Sequence, residues 1–477
     1  MDPLFERLNK SYKDGQRKKP SDDAARELQQ NQHNRMMEYF SSLLTQNKSR
    51  HVQIQAIKVT GGGAAATRQS FLDAQLQPLM APTHSLESLV SAIDNAYKDL
   101  VSLGIYENVH FSLDTAPPIF SSSKSSLDLN GLLHLTTAKR LVAKTGTDLG
   151  NGEGSGYANF TWKNVFGGAE ILSLDASIGT RTKSSYVLNF STPILNNPHW
   201  KSETVAYTTS RSIPWASHDQ AIRGISSKVK HENYELGAEA VWRCISIQDH
   251  ASRSIRRQAG NSIKTSIYHS WTKDNRDNPF MPGKGWYLKL GQEFGGLLSQ
   301  KYSDYPFIKT NFESQVAGSL DPAGNFLFSL SSRGGLLYTK SGIATHFMDR
   351  FFLGGPNDVR GFYVNGLGPR DNGDSLGGEA YLAFGLGVLS RIPKVPKDTP
   401  LRFQTFVNTG SLALLDRTNM AKTFNQLFTQ PSLAAGLGLV YQHPVARFEL
   451  NFTLPLVARQ NEGMRKGVQF GVGLSFL

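Results

Sequence analysis

From about residue 140 to the end of the chain, apolar and polar residues alternate with a period of two. The clearest stretch is 446–454, where apolar side chains at even positions alternate with Arg447, Glu449, Asn451 and Thr453. Successive side chains of a β-strand point to opposite faces, so this period predicts strands with one apolar and one polar face. The chain ends on a similar stretch, in which Phe470 and Val472 alternate with polar residues and glycines.

Such stretches recur about sixteen times, and each is about ten residues or longer, enough for a tilted transmembrane strand. An even number of strands is typical of single-chain membrane barrels, although a soluble sandwich would alternate as well. The predicted strands lie near 139–148, 155–166, 169–182, 184–195, 199–212, 219–231, 233–246, 262–275, 284–294, 305–319, 325–338, 377–391, 400–409, 432–441, 445–455 and 465–477.

The lengths of the connections distinguish a membrane barrel from a sandwich. The three longest predicted connections, 247–261, 339–376 and 410–431, all follow odd-numbered strands and would lie on one side. Most connections after even-numbered strands are short turns, such as 321–324. Long loops on one face and short turns on the other are characteristic of transmembrane barrels. We therefore predict an all-β transmembrane barrel of about sixteen antiparallel strands.

The first 137 residues have a different pattern. Residues 1–50 are polar and basic, and we predict a mobile tail with a helix over Ser21–Leu44. Residues 51–137 predict a small α+β domain of order βααββ, in which Ser85 caps the stronger helix and Gly104 ends it. The barrel then occupies 138–477, with its longest loop over 339–376.

Composition excludes several classes of protein. The chain has 477 residues, one cysteine (Cys244) and a formal net charge of +12, with its basic residues dispersed and no nucleic-acid-binding motif. No apolar run reaches about 18 residues, so no transmembrane helix is expected. The N-terminus lacks a signal core, and its acidic residues disfavour a cleaved presequence, which indicates an organelle protein made in the cytosol. No catalytic, metal or cofactor motif occurs, so we predict neither an enzyme nor a cofactor nor a metal site.

One short motif stands out in the longest loop. Residues 351–362 read Phe-Phe-Leu-Gly-Gly-Pro-Asn-Asp-Val-Arg-Gly-Phe. Its glycines and proline predict tight turns. These turns would present the four residues Val359, Arg360, Gly361 and Phe362.

This loop resembles the Val/Ile-Arg-Gly-Phe loop of the outer-membrane barrel-assembly superfamily, whose bacterial member is BamA. The longer string, Phe-Leu-Gly-Gly-Pro-Asn-x-Val-Arg-Gly-Phe, resembles the mitochondrial branch, the core barrel of the sorting and assembly machinery. The small domain, with its helix followed by Gly-Ile-Tyr-x-x-Val, resembles a polypeptide-transport-associated (POTRA) domain.

The resemblance implies that the motif loop folds back into the barrel lumen. Arg360 would then be the lumenal anchor, Phe362 its packing partner, and Gly361 the position of close backbone approach. The family's usual acidic partner would fall near Asn408, which is not acidic here. Three carboxylates on polar strand faces remain open as partners instead: Glu379, Glu449 and Glu313.

The resemblance also implies a function, insertion of barrel precursors into the mitochondrial outer membrane through a lateral seam between the first and last strands. The first strand would contribute Leu141, Val142, Ala143, Lys144, Thr145, Gly146 and Thr147. The last strand fits the polar-x-Gly-x-x-apolar-x-apolar pattern of a β-signal, the C-terminal pattern of such barrels, through Gln469, Gly471, Leu474 and Phe476. The implied partners are unfolded barrel precursors, cytosolic subunits of the same complex and membrane lipid; a second barrel copy stays open, and no nucleic acid is expected.

Two other functions remain compatible with the sequence. A polypeptide-secretion or solute channel would keep the barrel but pass its substrate through the lumen. A soluble β-rich binding protein would share the alternation but would not need detergent for extraction.

Overall fold

The computed structural model describes residues 35–36, 39, 42, 45–80, 84–115, 127–150, 153–298, 304–340, 343–396, 399–443, 446–473 and 477. The predicted helix over Ser21–Leu44 lies mostly outside these residues; the few described there, such as Arg35 and Met36, are helical. Internal contacts divide the chain into two units. The smaller contains the described residues up to Ala65 together with Leu72–Thr136, and the larger contains Ala66–Phe71 with Thr137–Leu477.

The N-terminal part combines a four-stranded sheet with short helices. Its elements are β1 His51–Thr60, α1 Gly62–Ala66, α2 Gln69–Leu76, a 3₁₀ turn Gln77–Met80, β2 His84–Ser85, α3 Leu86–Ser102, β3 Tyr106–Thr115 and β4 Leu127–Thr137. The strand order is β2-β1-β4-β3, in which β1 and β4 run parallel. The apolar core between sheet and helices includes Val52, Ile54, Leu89, Leu100 and Leu133.

Two local predictions for this domain can be checked directly. The Ser85 hydroxyl accepts a hydrogen bond from the Ser88 amide (3.2 Å), which confirms the predicted cap, and Gly104 follows the helix with φ of +67°. The three glycines at 61–63 do not form one turn. Only Gly61 turns, with φ of +94°, while Gly62 and Gly63 begin α1. The order βααββ also omitted α1 and the two-residue β2.

Sixteen strands form one antiparallel sheet in sequential order among the described residues. This confirms the predicted fold class, and most predicted strands agree with the observed ones to within a few residues. The strands are β5 Leu141–Gly150, β6 Glu153–Lys163, β7 Ile171–Gly179, β8 Thr182–Ile194, β9 Asn197–Ile213, β10 His218–His231, β11 Tyr234–Ile247, β12 Gly260–Asp274, β13 Gly285–Gly295, β14 Phe307–Ser319, β15 Phe326–Tyr338, β18 Ala380–Arg391, β19 Leu401–Ala413, β20 Ser432–Gln442, β21 Arg447–Val457 and β22 Gly467–Gly473.

The two faces of this sheet differ as a membrane barrel requires. On β21, Leu450, Phe452 and Leu454 point outward and are exposed, whereas Glu449 and Asn451 point inward and are buried. Apolar side chains therefore cover the outer surface, where lipid would lie, and polar side chains line the interior. No helix among the described residues is long and apolar enough to span a membrane.

The three longest connections, 248–259, 339–379 and 414–431, follow the seventh, eleventh and thirteenth barrel strands, as predicted. The first and third carry α4, Arg253–Arg256, and α5, Met420–Thr429. The longest, 339–379, runs three residues beyond its predicted end and is called the motif loop below. Its described part holds a 3₁₀ turn, Phe347–Asp349, and a small hairpin of β16, Arg370–Asp371, and β17, Asp374–Ser375.

The motif loop lies inside the sheet. Side chains of strands as distant in the sheet order as β11 and β21 contact it: Arg243 of β11 binds Asp349, and Glu449 of β21 binds Arg360. A sheet can contact one loop from both of these strands only if it curves around that loop. The loop therefore occupies the lumen, and it packs against the barrel wall through an apolar cluster that includes Phe351, Leu353, Val359, Phe362 and Leu367.

Candidate functional site

The backbone of the motif loop turns sharply before the Val-Arg-Gly-Phe motif. Gly354 and Gly355 have φ of +110° and +133°, in the region that side-chain-bearing residues rarely occupy. The Asp358 carboxylate accepts a hydrogen bond from the Gly354 amide (2.8 Å), and the Gly355 amide donates to Val359 O (3.2 Å). This closed turn directs the side chain of Arg360 toward the last strands of the barrel.

Arg360 is fully buried and contacts Glu449 of β21 through two nitrogens. Nε lies 3.0 Å from Oε2, and Nη2 lies 2.9 Å from Oε2 and 3.2 Å from Oε1. The guanidinium also donates through Nη1 to the main-chain carbonyl of Leu477 (2.8 Å) and lies over the ring of Phe406, 4.7 Å from its centroid. A paired guanidinium with several partners fixes both the position and the orientation of the loop.

Glu449 has further partners on its own strand. Arg447 Nη2 lies 2.6 Å from Oε1, and Asn451 Nδ2 donates to Oε2 (2.7 Å). Two guanidinium groups and one carboxylate therefore share a buried site, and the carboxylate is compensated from both sides. Removing the carboxylate would leave two guanidinium groups buried without an opposite charge, and removing both guanidinium groups would leave the carboxylate buried without one. Either change is costly at low dielectric.

The other three candidate partners of Arg360 contact different groups. Asn408 of β19 donates through Nδ2 to the carbonyl of Asp358 (3.3 Å), two residues before the arginine. Glu379 lies at the end of the loop, where its carboxylate accepts from Thr345 Oγ1 (2.6 Å) and the Leu415 amide (3.0 Å). Glu313 lies on β14 in register with Arg333 of β15. Among the four, the structure places Glu449 against Arg360.

The motif is also hydrogen-bonded to the last strand, β22. The Gln469 side chain accepts from the Gly361 amide (3.0 Å) and donates to the Phe362 carbonyl (3.1 Å). Nearby, Asn357 Nδ2 donates to Val472 O (2.7 Å). The first anchor, defined as Arg360, Glu449 and Gln469, therefore joins the loop to the last two strands. Sequence reasoning proposed the last strand and the loop separately and did not foresee this contact.

The remaining predicted residues divide between the first and last strands of the barrel. Residues Leu141 to Thr147 lie on β5, paired with β6 from Trp162 to Gly156. Gly471 lies on β22 opposite Glu449. Leu474 and Phe476 lie outside the described residues. The predicted last strand, 465–477, began two residues too early, because β22 is described from Gly467 to Gly473, and its predicted continuation over 474–476 lies outside the described residues. Leu477 lies in the lumen, where a Cβ on Gly385 would approach its carbonyl carbon to 2.6 Å.

Sequence reasoning missed two polar residues of this site, Asn357 and Arg447. Asn357 was part of the quoted loop motif, and its short amide side chain after proline was a signal for local hydrogen bonding. Arg447 occupies the same strand face as Glu449, two residues away, so the period-two pattern already placed the two side chains together. Among the described residues, no group of three His, Cys, Asp or Glu side chains is arranged to hold a metal ion.

Gly361→Ala is expected to weaken docking of the motif loop. Gly361 has φ of +87°, where an alanine costs about 1–2 kcal/mol, and its Cβ would lie 2.8 Å from Ala434 Cβ. Gly373→Ala is a matched control, because Gly373 has φ of +90° in the same loop with nothing within 4 Å of an added Cβ. Protease susceptibility of the loop should increase more in Gly361→Ala, and Ala434→Gly should partly reverse the increase. Equal susceptibility of the two glycine variants would show that the contact with Ala434 has no effect.

Comparison with known proteins places this architecture in a family. The Omp85 superfamily domain matches residues 164–476. A SAM50-like protein of Schizosaccharomyces pombe is 36% identical over 450 residues, covering 92% of this chain and 94% of the relative. The sorting assembly machinery 50 kDa subunit of Saccharomyces cerevisiae is 30% identical, covering 89% of this chain and 95% of the relative.

Solved structures share the fold at much lower identity. BamA from Haemophilus ducreyi lacking POTRA domains 1–3 superposes with a TM-score of 0.71 at 16% identity, covering 88% of this chain and 84% of that one. CdiB from Acinetobacter baumannii gives a TM-score of 0.51 at 15% identity, covering 88% and 73%. On the extent of the domain match and the identity to its relatives, the chain belongs to the Omp85 superfamily, in the group of sorting and assembly machinery 50 barrels.

Proposed function

We propose that this protein folds and inserts β-barrel precursor proteins into the mitochondrial outer membrane through a lateral seam between β5 and β22. The relatives named for the sorting and assembly machinery, together with the BamA-like fold, support a role in β-barrel assembly. The observation that carries the proposal further is the direct bonding of the motif loop to β22 through Gln469 and Asn357. A loop that holds the last strand can influence whether that strand keeps or exchanges its neighbours.

The proposed mechanism uses backbone pairing. Opening the seam would expose the N–H and C=O groups of β5, and an incoming precursor strand could add to this edge by β-augmentation. Lipid cannot form hydrogen bonds with unpaired backbone N–H and C=O groups. The strands of the precursor would therefore stay paired with β5 and with one another until the precursor sheet closes into its own barrel. The glycines at positions 467, 471 and 473 of β22 leave little side-chain packing at that edge. Exchange of one pairing for another requires no nucleotide, and no residue is assigned a catalytic role.

The proposed location is the mitochondrial outer membrane, with the N-terminal domain in the intermembrane space. The connections 248–259 and 414–431 would then lie toward the cytosol, where further subunits of the complex could bind them, and the motif loop would enter the lumen from the same side. Unfolded barrel precursors and membrane lipid complete the proposed partners, and no nucleic acid is expected among them.

Site-specific crosslinking tests the proposed exit. In a Cys244→Ser background, single cysteines placed along Leu141 to Thr147 should crosslink to a precursor arrested during assembly, most strongly at alternate positions of β5. Leu290→Cys is the matched control, because Leu290 also points outward but lies on β13, far from β5 in the sheet order. Equal crosslinking at β5 and at position 290, or crosslinking from lumenal positions only, would reject the seam and favour passage through the lumen.

A further inference from the structure

The motif loop is bound to the barrel at a second place, distant from the first anchor. Arg243 of β11 contacts Asp349 of the loop, with Nη1 2.9 Å from Oδ1, and both side chains are less than 10% exposed. Lys309 of β14 donates through Nζ to the main-chain carbonyl of Asp349 (2.8 Å) and lies over the ring of Phe351, 4.7 Å from its centroid. We call Arg243, Asp349 and Lys309 the second anchor.

Packing around the 3₁₀ turn Phe347–Asp349 supports this anchor. Phe347 is buried in a cluster with three isoleucines, and its amide donates to Gln258 Oε1 (2.7 Å). His346 caps the turn by accepting from the Met348 amide (3.3 Å). Burial lowers the pKa of His346 to about 4, so the ring is neutral near pH 7 and can accept that hydrogen bond. The isoleucines are Ile213, Ile245 and Ile255.

The hairpin that follows in the same loop binds the same side of the barrel. The buried Asp374 carboxylate accepts from Ser217 Oγ and from the Ser252 amide (2.7 Å), and Asp371 accepts from the Ser254 amide (3.1 Å). Ser217 lies in the connection after β9, and Ser252 and Ser254 lie in the connection after β11. Two separate parts of the motif loop are therefore fixed to the strands and connections around β11.

The ion pairs of the two anchors, Arg243 with Asp349 and Arg360 with Glu449, lie on opposite walls. In the sixteen-stranded order β11 is the seventh strand and β21 the fifteenth, so they are eight strands apart, half of the barrel. The loop crosses the lumen between them within the eleven positions that separate Asp349 from Arg360. A connection this short, with closed turns in it, ties the position of Arg360 to that of Asp349, because displacing one end must displace or straighten the other.

We propose that Arg243 and Asp349 are positioning residues, which hold the motif loop across the lumen so that Arg360 and Gly361 meet β21 and β22. The contacts alone support this position of the loop; only its use in the assembly of client barrels rests on the proposed function. The second anchor would define the resting place of the loop, and the wall around β11 would thereby influence the seam on the opposite side.

Thiol alkylation measures the position of the loop without reference to activity. Val359 is fully buried beside Arg360, so Val359→Cys in a Cys244→Ser background reports release of the motif from the wall. Asp349→Asn and Arg243→Gln should each raise the alkylation rate of this introduced thiol about tenfold or more, because each leaves the opposite charge buried without its partner. Asp349→Glu and Arg243→Lys keep the charge and should restore slow alkylation.

A matched control removes a carboxylate elsewhere on the barrel wall. Glu203 pairs with Lys230 and Lys228, with Oε2 2.9 Å and 3.4 Å from their Nζ atoms, and it has no hydrogen bond or ion pair to the described part of the motif loop. Glu203→Gln therefore removes one charge of an ion pair without touching either anchor. The alkylation rate of the introduced thiol should be unchanged in this variant.

The outcomes separate this inference from the proposed function. Slow alkylation in both neutral variants, or fast alkylation that the charge-preserving variants do not reverse, would overturn the positioning role. Fast alkylation that the charge-preserving variants reverse supports it, whatever happens to client barrels. Assembly of a precursor barrel is measured on the same samples: normal assembly with a released loop would leave the positioning role in place and count against the proposed function of the loop.

Discussion

Arg360→Ala is expected to leave the barrel inserted but to reduce assembly of client barrels severely. The substitution removes the contacts with Glu449, the donation to Leu477 O and the stacking on Phe406. Glu449 keeps Arg447 and Asn451 as partners in this variant, so the loss is that of the hydrogen bonds made by Arg360 itself, each worth about 1.5–3 kcal/mol because a charged group takes part. A loss of this size loosens the docked loop without unfolding the barrel. The barrel itself rests on backbone pairing along sixteen strands, which the substitution does not touch. Assembly of a radiolabelled precursor in isolated mitochondria measures the loss.

Two further variants sharpen this test. Arg360→Lys keeps the charge but offers a compact ammonium group instead of a planar fork, so assembly should be intermediate. Glu449→Gln leaves two guanidinium groups facing each other and should resemble Arg360→Ala. The proposed role of the ion pair would be abandoned if an Arg360→Ala protein with normal abundance and heat-modifiable mobility assembled its clients at the normal rate.

A disulfide across the seam is expected to abolish insertion reversibly. Cysteines at facing positions of β5 and β22, with Cys244 replaced, would hold the two strands together while leaving the rest of the sheet intact. The oxidised protein should still bind precursors but fail to release them into lipid, and reduction should restore full activity. The measurement is precursor release before and after reduction, with crosslinking yield determined on the same sample.

The same experiment discriminates the two membrane functions. Passage through the lumen does not require β5 and β22 to separate, so a channel would tolerate the disulfide. Full insertion activity at near-complete crosslinking would therefore exclude the seam as the exit. A second disulfide between β13 and β14, which are paired from Gly285 to Gly295, controls for effects of oxidation itself and should leave activity unchanged.

The strands were predictable because alternation is a local property of the chain. The alternation within each stretch shows which side chains lie on its apolar face and which lie on its polar face. Sixteen such stretches in sequence predict the strands of the sheet without knowledge of any contact between residues. The place of Leu477 beside Gly385 and Arg360 was not predictable, because alternation along a strand carries no information about such contacts. The contacts that hold the end of the chain in the lumen are distant in sequence.

The candidate site was predictable only in part for the same reason. The motif identified Arg360, and the strand pattern supplied Glu449, Glu379 and Glu313 on polar faces, but choosing among them requires the place where the loop enters the lumen. The pair Arg243 and Asp349 carries no local signal, since these residues are 106 positions apart and neither lies in a motif. Ion pairs of this kind form only where the fold brings distant residues together, so the sequence alone does not predict them.

The contact between Gln469 and the motif has a consequence for which strands can take the place of β22. The Gly361 amide and the Phe362 carbonyl are buried, and both are satisfied by one side-chain amide. A strand that replaced β22 with an apolar residue at this position would leave both groups unsatisfied, at a cost of about 1–3 kcal/mol for each. A residue that both donates and accepts avoids that cost, whatever the other side chains are. Binding of a precursor strand at the seam would then depend on a polar residue at this one position of the strand. Many precursors of otherwise unrelated sequence could therefore use the same seam.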